Sequence, residues 1–139
     1  MKEPHSQIRA TGSCLCGSIR FEIRGPLRDV IVCHCVFCQR SGTTAWTEYK
    51  AGDLLLLAGK PKHYRSSPLS RRGFCGKCGS QLFIEAIDGS RMSVAAGSLD
   101  QPTGLRIAEH IFCEQMGDYE KMPVLPRDAI TPWTRMKAG

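Results

Sequence analysis

The sequence predicts a mostly β protein folded as one domain, and three observations carry that expectation. Short runs of β-forming residues recur along the 139-residue chain, punctuated by glycine and proline. The run SIRFEIRG (18–25) alternates Ile19, Phe21 and Ile23 with Ser18, Arg20, Glu22 and Arg24, as a strand with one buried face requires. Only QRSGTT (39–44) and QMGDYEKM (115–122) leave room for a short helix.

Taken in order, Gly25-Pro26 turns the chain after the first strand, and DVIVC (29–33) forms a second that runs into a cysteine cluster. Further strands are expected over 44–49, 53–59, 62–66, 72–75, 80–87, 90–99 and 106–113. Asp88-Gly89, lying between two of these runs, is a hairpin signal because both residues tolerate the turn's backbone angles. Pro123, Pro126 and Pro132 mark an extended strap over the surface. The expected layout is an N-terminal tail at 1–9, a domain at 10–126 and a C-terminal strap at 127–139, with mostly antiparallel sheets.

A chain of this length can bury a core without cross-links, so its eight cysteines call for another explanation. The start, MKEPHSQIRATGS, has charge but no apolar run behind it, and no stretch approaches the roughly 20 apolar residues of a membrane span. A cytoplasmic, reducing setting is therefore expected, where clustered cysteines favour metal or catalysis over disulfides. The formal charge of +6 treats every thiol as neutral. Two Zn²⁺ ions held by seven thiolates would roughly halve it, so no nucleic-acid partner and no membrane are expected.

Two cysteine pairs echo each other. Cys16-Gly17-Ser18-Ile19-Arg20-Phe21 matches Cys78-Gly79-Ser80-Gln81-Leu82-Phe83, each a cysteine pair followed by glycine and a strand. Such a knuckle aims backbone N–H groups at two thiolates, and Cys14, Cys16, Cys75 and Cys78 together make one tetrahedral zinc site. Closing the loop of about sixty residues between the halves costs roughly 3.6 kcal/mol plus a constant. A structural zinc contributes about 10–16 kcal/mol, which outweighs it. The competing readings are two disulfides, or a redox CGKC at 75–78. A redox motif should open a helix, whereas a β run follows here.

CHCVFC (33–38) then keeps three thiols for itself. Three protein ligands with a vacant fourth position mark a catalytic rather than a structural zinc. Cys113, His110 or His34 could instead close the site. A thiolate-rich zinc suits a sulfur ligand, so the expected visitor is a small thiol held as its thiolate. Residues 54–84 hold Lys60, Lys62, Arg65, Arg71, Arg72 and Lys77 and no acid, which makes them either a substrate-binding surface or a solvated edge. Trp46 and Tyr49 line a pocket or belong to the core. His34, Arg40 and Ser41 are candidate rim residues that could contact a carboxylate or a developing alkoxide.

The stretches GSCLCGSIRF (12–21), CHCVFCQRSG (33–42), FCGKCGS (74–80) and AGSLDQP (96–102) resemble the glutathione-dependent formaldehyde-activating enzyme family, which also includes centromere protein V. The resemblance runs from about residue 10 to about residue 126. It implies a β-tent fold with two zincs. Cys14, Cys16, Cys75 and Cys78 would hold the structural ion, and Cys33, Cys35 and Cys38 the ion of the active centre. The implied activity is carbon–sulfur lyase chemistry, the condensation of glutathione with formaldehyde to S-(hydroxymethyl)glutathione. A non-catalytic, zinc-built binding module is the alternative that kinship with centromere protein V implies. Gln39 stands where a basic residue often follows the third cysteine, and Cys113 lies outside the family's metal pattern.

Overall fold

The computed structural model describes residues 7–121. These residues hold ten strands and one helix: β1 (Ala10–Ser13), β2 (Arg20–Ile23), β3 (Val30–Cys33), α1 (Val36–Ser41), β4 (Ala45–Tyr49), β5 (Leu54–Ala58), β6 (Lys62–Tyr64), β7 (Ser70–Phe74), β8 (Gln81–Ala86), β9 (Met92–Ala95) and β10 (Ile107–Ile111). Single 3₁₀ turns follow β9 at Ala96–Ser98 and β10 at Cys113–Gln115. No described helix is long and apolar enough to cross a membrane. The strap expected at 127–139 lies outside the described residues.

The strands form two sheets. The smaller has the order β1-β2-β5, and the larger β10-β3-β4-β9-β8-β7-β6. Pairing is antiparallel throughout except between β3 and β10, which run parallel. The mostly β expectation holds. The parallel pair arises because β10 returns to the outer edge of β3 after a long excursion through six other strands, a crossover that no local pattern announces.

The core lies where the sheets meet. Ile19, Phe21, Ile23, Leu82 and Val94 are fully buried, and each contributes about 1.5–3 kcal/mol by leaving water. Phe21 of the small sheet meets Phe83 of the large one edge to face, 5.4 Å between ring centres. The alternation expected in 18–25 puts these apolar side chains inside. Glu22 is buried as well, and Arg24 Nη2 pairs with it at 2.9 Å. The Asp88-Gly89 turn joins β8 to β9: the Gly89 N–H donates to the Ala86 carbonyl at 2.9 Å, and the Ser90 N–H donates to Asp88 Oδ1 at 2.9 Å.

Three details differ from the sequence reading. The first helix runs over 36–41 rather than 39–44, because the Cys35 side chain caps its start and Gly42, at φ 87°, ends it. The second predicted helix reduces to the 3₁₀ turn at 113–115. Strand β1 carries no alternation of its own and was not expected; its pairing with β2 makes it a strand.

Candidate metal centres and cavity

The first cysteine group ties the two sheets together. Cys14 and Cys16 sit on the β1–β2 turn, and Cys75 and Cys78 on the β7–β8 turn. Their four sulfurs all lie within 4.8 Å of one another. Cys14 Sγ is 3.6 Å from Cys16 Sγ, and Cys16 Sγ is 3.9 Å from Cys75 Sγ. Sulfurs bonded to one tetrahedral zinc at about 2.3 Å are about 3.8 Å apart, so the donor set fits such an ion. None of the eight cysteines is in a disulfide.

Donors surround these sulfurs, as thiolates require. The Ile19 N–H donates to Cys14 Sγ at 3.3 Å, and the Lys77 and Cys78 N–H groups donate to Cys75 Sγ at 3.4 Å each. The echo between the knuckles extends to their geometry. Gly17 and Gly79 both adopt φ 80°, and Ser18 and Ser80 each place a hydroxyl 3.1 Å from the cysteine two positions before. The Ser80 hydroxyl and N–H, with the Cys16 N–H, hold the Cys78 thiol down to about 5. Ser80 Oγ also accepts from the Leu15 N–H at 3.0 Å and so joins the two turns.

Cys33, Cys35 and Cys38 form the second group, again within 4.8 Å of one another. Strand β3 delivers Cys33, and the first turn of α1 delivers Cys35 and Cys38, with the Cys38 N–H donating to Cys35 Sγ at 3.4 Å. Hydrogen bonds from Cys33 and Cys38 hold the Cys35 thiol down to about 2, while the same crowding and burial push Cys33 up. Three thiolates this close repel one another, and a bound cation would offset that repulsion. The chemistry of this donor set fits a soft divalent metal.

No His, Cys, Asp or Glu among the described residues joins these three sulfurs within 4.8 Å. His34, between two of the thiols, turns its ring away: Nε2 lies 2.8 Å from His110 Nδ1, and the rings stack at 5.1 Å. Burial and the neighbouring His34 hold His110 below its ordinary value. Cys113 is buried in the 3₁₀ turn, and burial pushes its thiol up. Gln39 occupies its place by donating to the His34 carbonyl at 2.6 Å and to the Gln115 carbonyl, which ties α1 to the turn after β10.

The trio lines part of the wall of a cavity of about 640 Å³. Its walls are mostly apolar and include Ile31, Trp46, Ile84, Ile111 and Phe112. Of the six cations in 54–84, only Arg72 lines it. Arg72 is 8% exposed; Nη2 donates to Cys38 Sγ at 3.6 Å and Nη1 to Ser41 Oγ at 3.3 Å, and its buried Nε has no partner. Among the candidate rim residues, Ser41 therefore reaches the trio through Arg72, whereas Arg40 is exposed on the helix and neither it nor His34 lines the cavity. Trp46 is buried on the cavity wall and Tyr49 in the main core. In the sequence Arg72 is one member of a basic run, and no local signal singles it out. The two serines were visible within the repeated Cys-Gly-Ser.

Comparison with known proteins adds a family and a fold. The family model described as glutathione-dependent formaldehyde-activating enzyme matches residues 9–115. Among solved structures, a Rhodobacter sphaeroides protein is similar at 22% identity with a TM-score of 0.58, covering 66% of this chain and 88% of its own; that likeness concerns the fold alone. No curated protein matches the chain significantly.

Proposed function

The chain belongs to the glutathione-dependent formaldehyde-activating enzyme family, and from that premise we propose that it is a zinc-dependent carbon–sulfur lyase-type enzyme acting on aldehyde adducts of glutathione or a similar thiol. The reaction is formation or cleavage of an adduct such as S-(hydroxymethyl)glutathione. In this reading Cys14, Cys16, Cys75 and Cys78 hold a structural zinc, and Cys33, Cys35 and Cys38 hold a second one. Zinc bound by the trio would supply a soft Lewis acid that favours a visiting thiol as its thiolate.

The protein's own residues supply the rest. Arg72, beside Cys38, offsets the negative charge of three thiolates and an incoming sulfur. Trp46, Ile84 and Phe112 keep water away from the sulfur and the carbonyl carbon. In the forward direction the sulfur–carbon bond forms as the carbonyl π bond breaks, and the thiol proton ends on the new hydroxyl. Cleavage reverses each step.

The observation that carries this reading is the three-thiol group on the wall of a cavity, with no fourth protein ligand within reach among the described residues. Thiols also add to aldehydes unaided, so the test is a rate rather than a yield. Exchange NMR of glutathione with formaldehyde, with and without zinc-loaded protein, should show both directions accelerated in proportion. Exchange rates equal to the protein-free background with formaldehyde and with a longer aldehyde alike sink the proposal.

A further inference from the structure

We infer that the carbonyl half of the adduct carries an apolar tail, an alkyl or aryl aldehyde rather than formaldehyde. This inference rests on the proposed thiol–aldehyde chemistry and names its substrate class. It comes from the size and lining of the cavity beside Cys33, Cys35 and Cys38.

The cavity measures about 640 Å³, within the range of roughly 300–1,000 Å³ that holds drug-sized ligands. A formaldehyde unit adds a single carbon and leaves most of that space to water. The walls are a poor host for water: Ile31, Trp46, Ile84, Ile111 and Phe112 line the interior, and Leu69 continues the apolar surface at the mouth, 79% exposed. An apolar surface beside a pocket is the feature that contact with an apolar ligand would cover.

The charged lining residues have protein partners, save for the buried Nε of Arg72. Arg91 Nη2 pairs with Glu48 Oε2 at 2.6 Å, Asp88 Oδ1 accepts from the Ser90 N–H at 2.9 Å, and Arg72 is turned to Cys38 and Ser41. Asp88, Ser90 and Arg91 are also exposed and form a polar rim, while Arg72 is the one buried charge of the lining. A tripeptide's carboxylates and ammonium would be desolvated at a cost inside such walls. The charged part of the substrate therefore stays at the rim, and the tail fills the interior.

The test compares S-methylglutathione with S-hexylglutathione by titration calorimetry on the zinc-loaded full chain, alongside exchange rates with formaldehyde and with hexanal. S-hexylglutathione should bind at least about tenfold more tightly, since even one added methylene in an apolar pocket is worth roughly that factor. Hexanal exchange should be accelerated over its background more than formaldehyde exchange. Leu69→Asp, a change at an exposed position, should shrink the hexyl-to-methyl affinity ratio. An S-hexyl form that binds no more tightly than S-methyl overturns the inference, and so does a ratio that Leu69→Asp leaves unchanged. Acceleration with formaldehyde but no hexyl preference would leave the enzyme reading standing and remove the tail. A hexyl preference without acceleration of either aldehyde would do the reverse, keeping the apolar site and removing the enzyme.

Discussion

Arg72 is a buried cation whose hydrogen-bond partners are a thiol and a hydroxyl, Cys38 and Ser41, rather than a carboxylate. A guanidinium with so little exposure persists where negative charge develops nearby, and the three thiols are the source of that charge. Arg72→Met keeps the stem's packing and removes the cation, so the fold should survive with little change in melting temperature. A hydrogen bond to a charged group is worth about 1.5–3 kcal/mol, so glutathione affinity should fall by about tenfold to a hundredfold. Arg72→Lys should recover part of it. Calorimetry on the three proteins decides, and unchanged affinity in Arg72→Met would remove Arg72 from the site. In the sequence this residue is indistinguishable from Arg71, which pairs with Glu85 at 3.1 Å. The two point to opposite faces of β7, and only the sheet's position relative to α1 tells which of them meets the thiols.

The turns and the short helix were legible to different degrees, for a physical reason. The knuckles repeat a local pattern, and a residue at positive φ following a cysteine is a local requirement that glycine satisfies. Gly17 and Gly79 share φ 80°, with open space where a side chain would project. Gly79→Ala therefore meets no clash and pays only the backbone strain of the left-handed region, about 1–2 kcal/mol, and Gly17→Ala should match it. Denaturant melts of both variants check this; no loss in either would mean that the turns relax. Helix α1 starts three residues earlier than its sequence predicts because its cap is a thiol, which is not among the usual capping side chains. That cap leads to another prediction. Cys35→Ser exchanges the thiol for a better capping group, so α1 should persist while the trio loses a ligand. The variant should stay folded, hold about one zinc instead of two, and no longer bind glutathione. Zinc analysis beside a thermal melt reads all three.

Across the whole molecule, the two cysteine groups differ in what they connect. The trio draws its ligands from β3 and the adjoining α1, neighbours in sequence that the large sheet already holds in place. The other group takes two ligands from the small sheet and two from the large one, across turns about sixty residues apart. Neither the partition into two sheets nor the parallel return of β10 was legible, since both follow from long-range pairing. The echo of the two knuckles was legible, and it implies that the turns meet. The proposed structural zinc therefore reinforces the Phe21–Phe83 contact and the buried residues between the sheets. Cys75→Ser removes the ligand that is 1% exposed and accepts two backbone N–H bonds. Losing that metal forfeits about 10–16 kcal/mol, as much as or more than the roughly 5–15 kcal/mol by which a typical domain is stable. Cys75→Ser should therefore be insoluble or unfolded under conditions where Cys35→Ser melts cooperatively. Should Cys35→Ser unfold as badly, the trio is a second structural clamp, and the open catalytic centre loses its support. Should Cys75→Ser fold with one zinc retained, the sheets hold together through their apolar core, and the knuckle site is not what joins them.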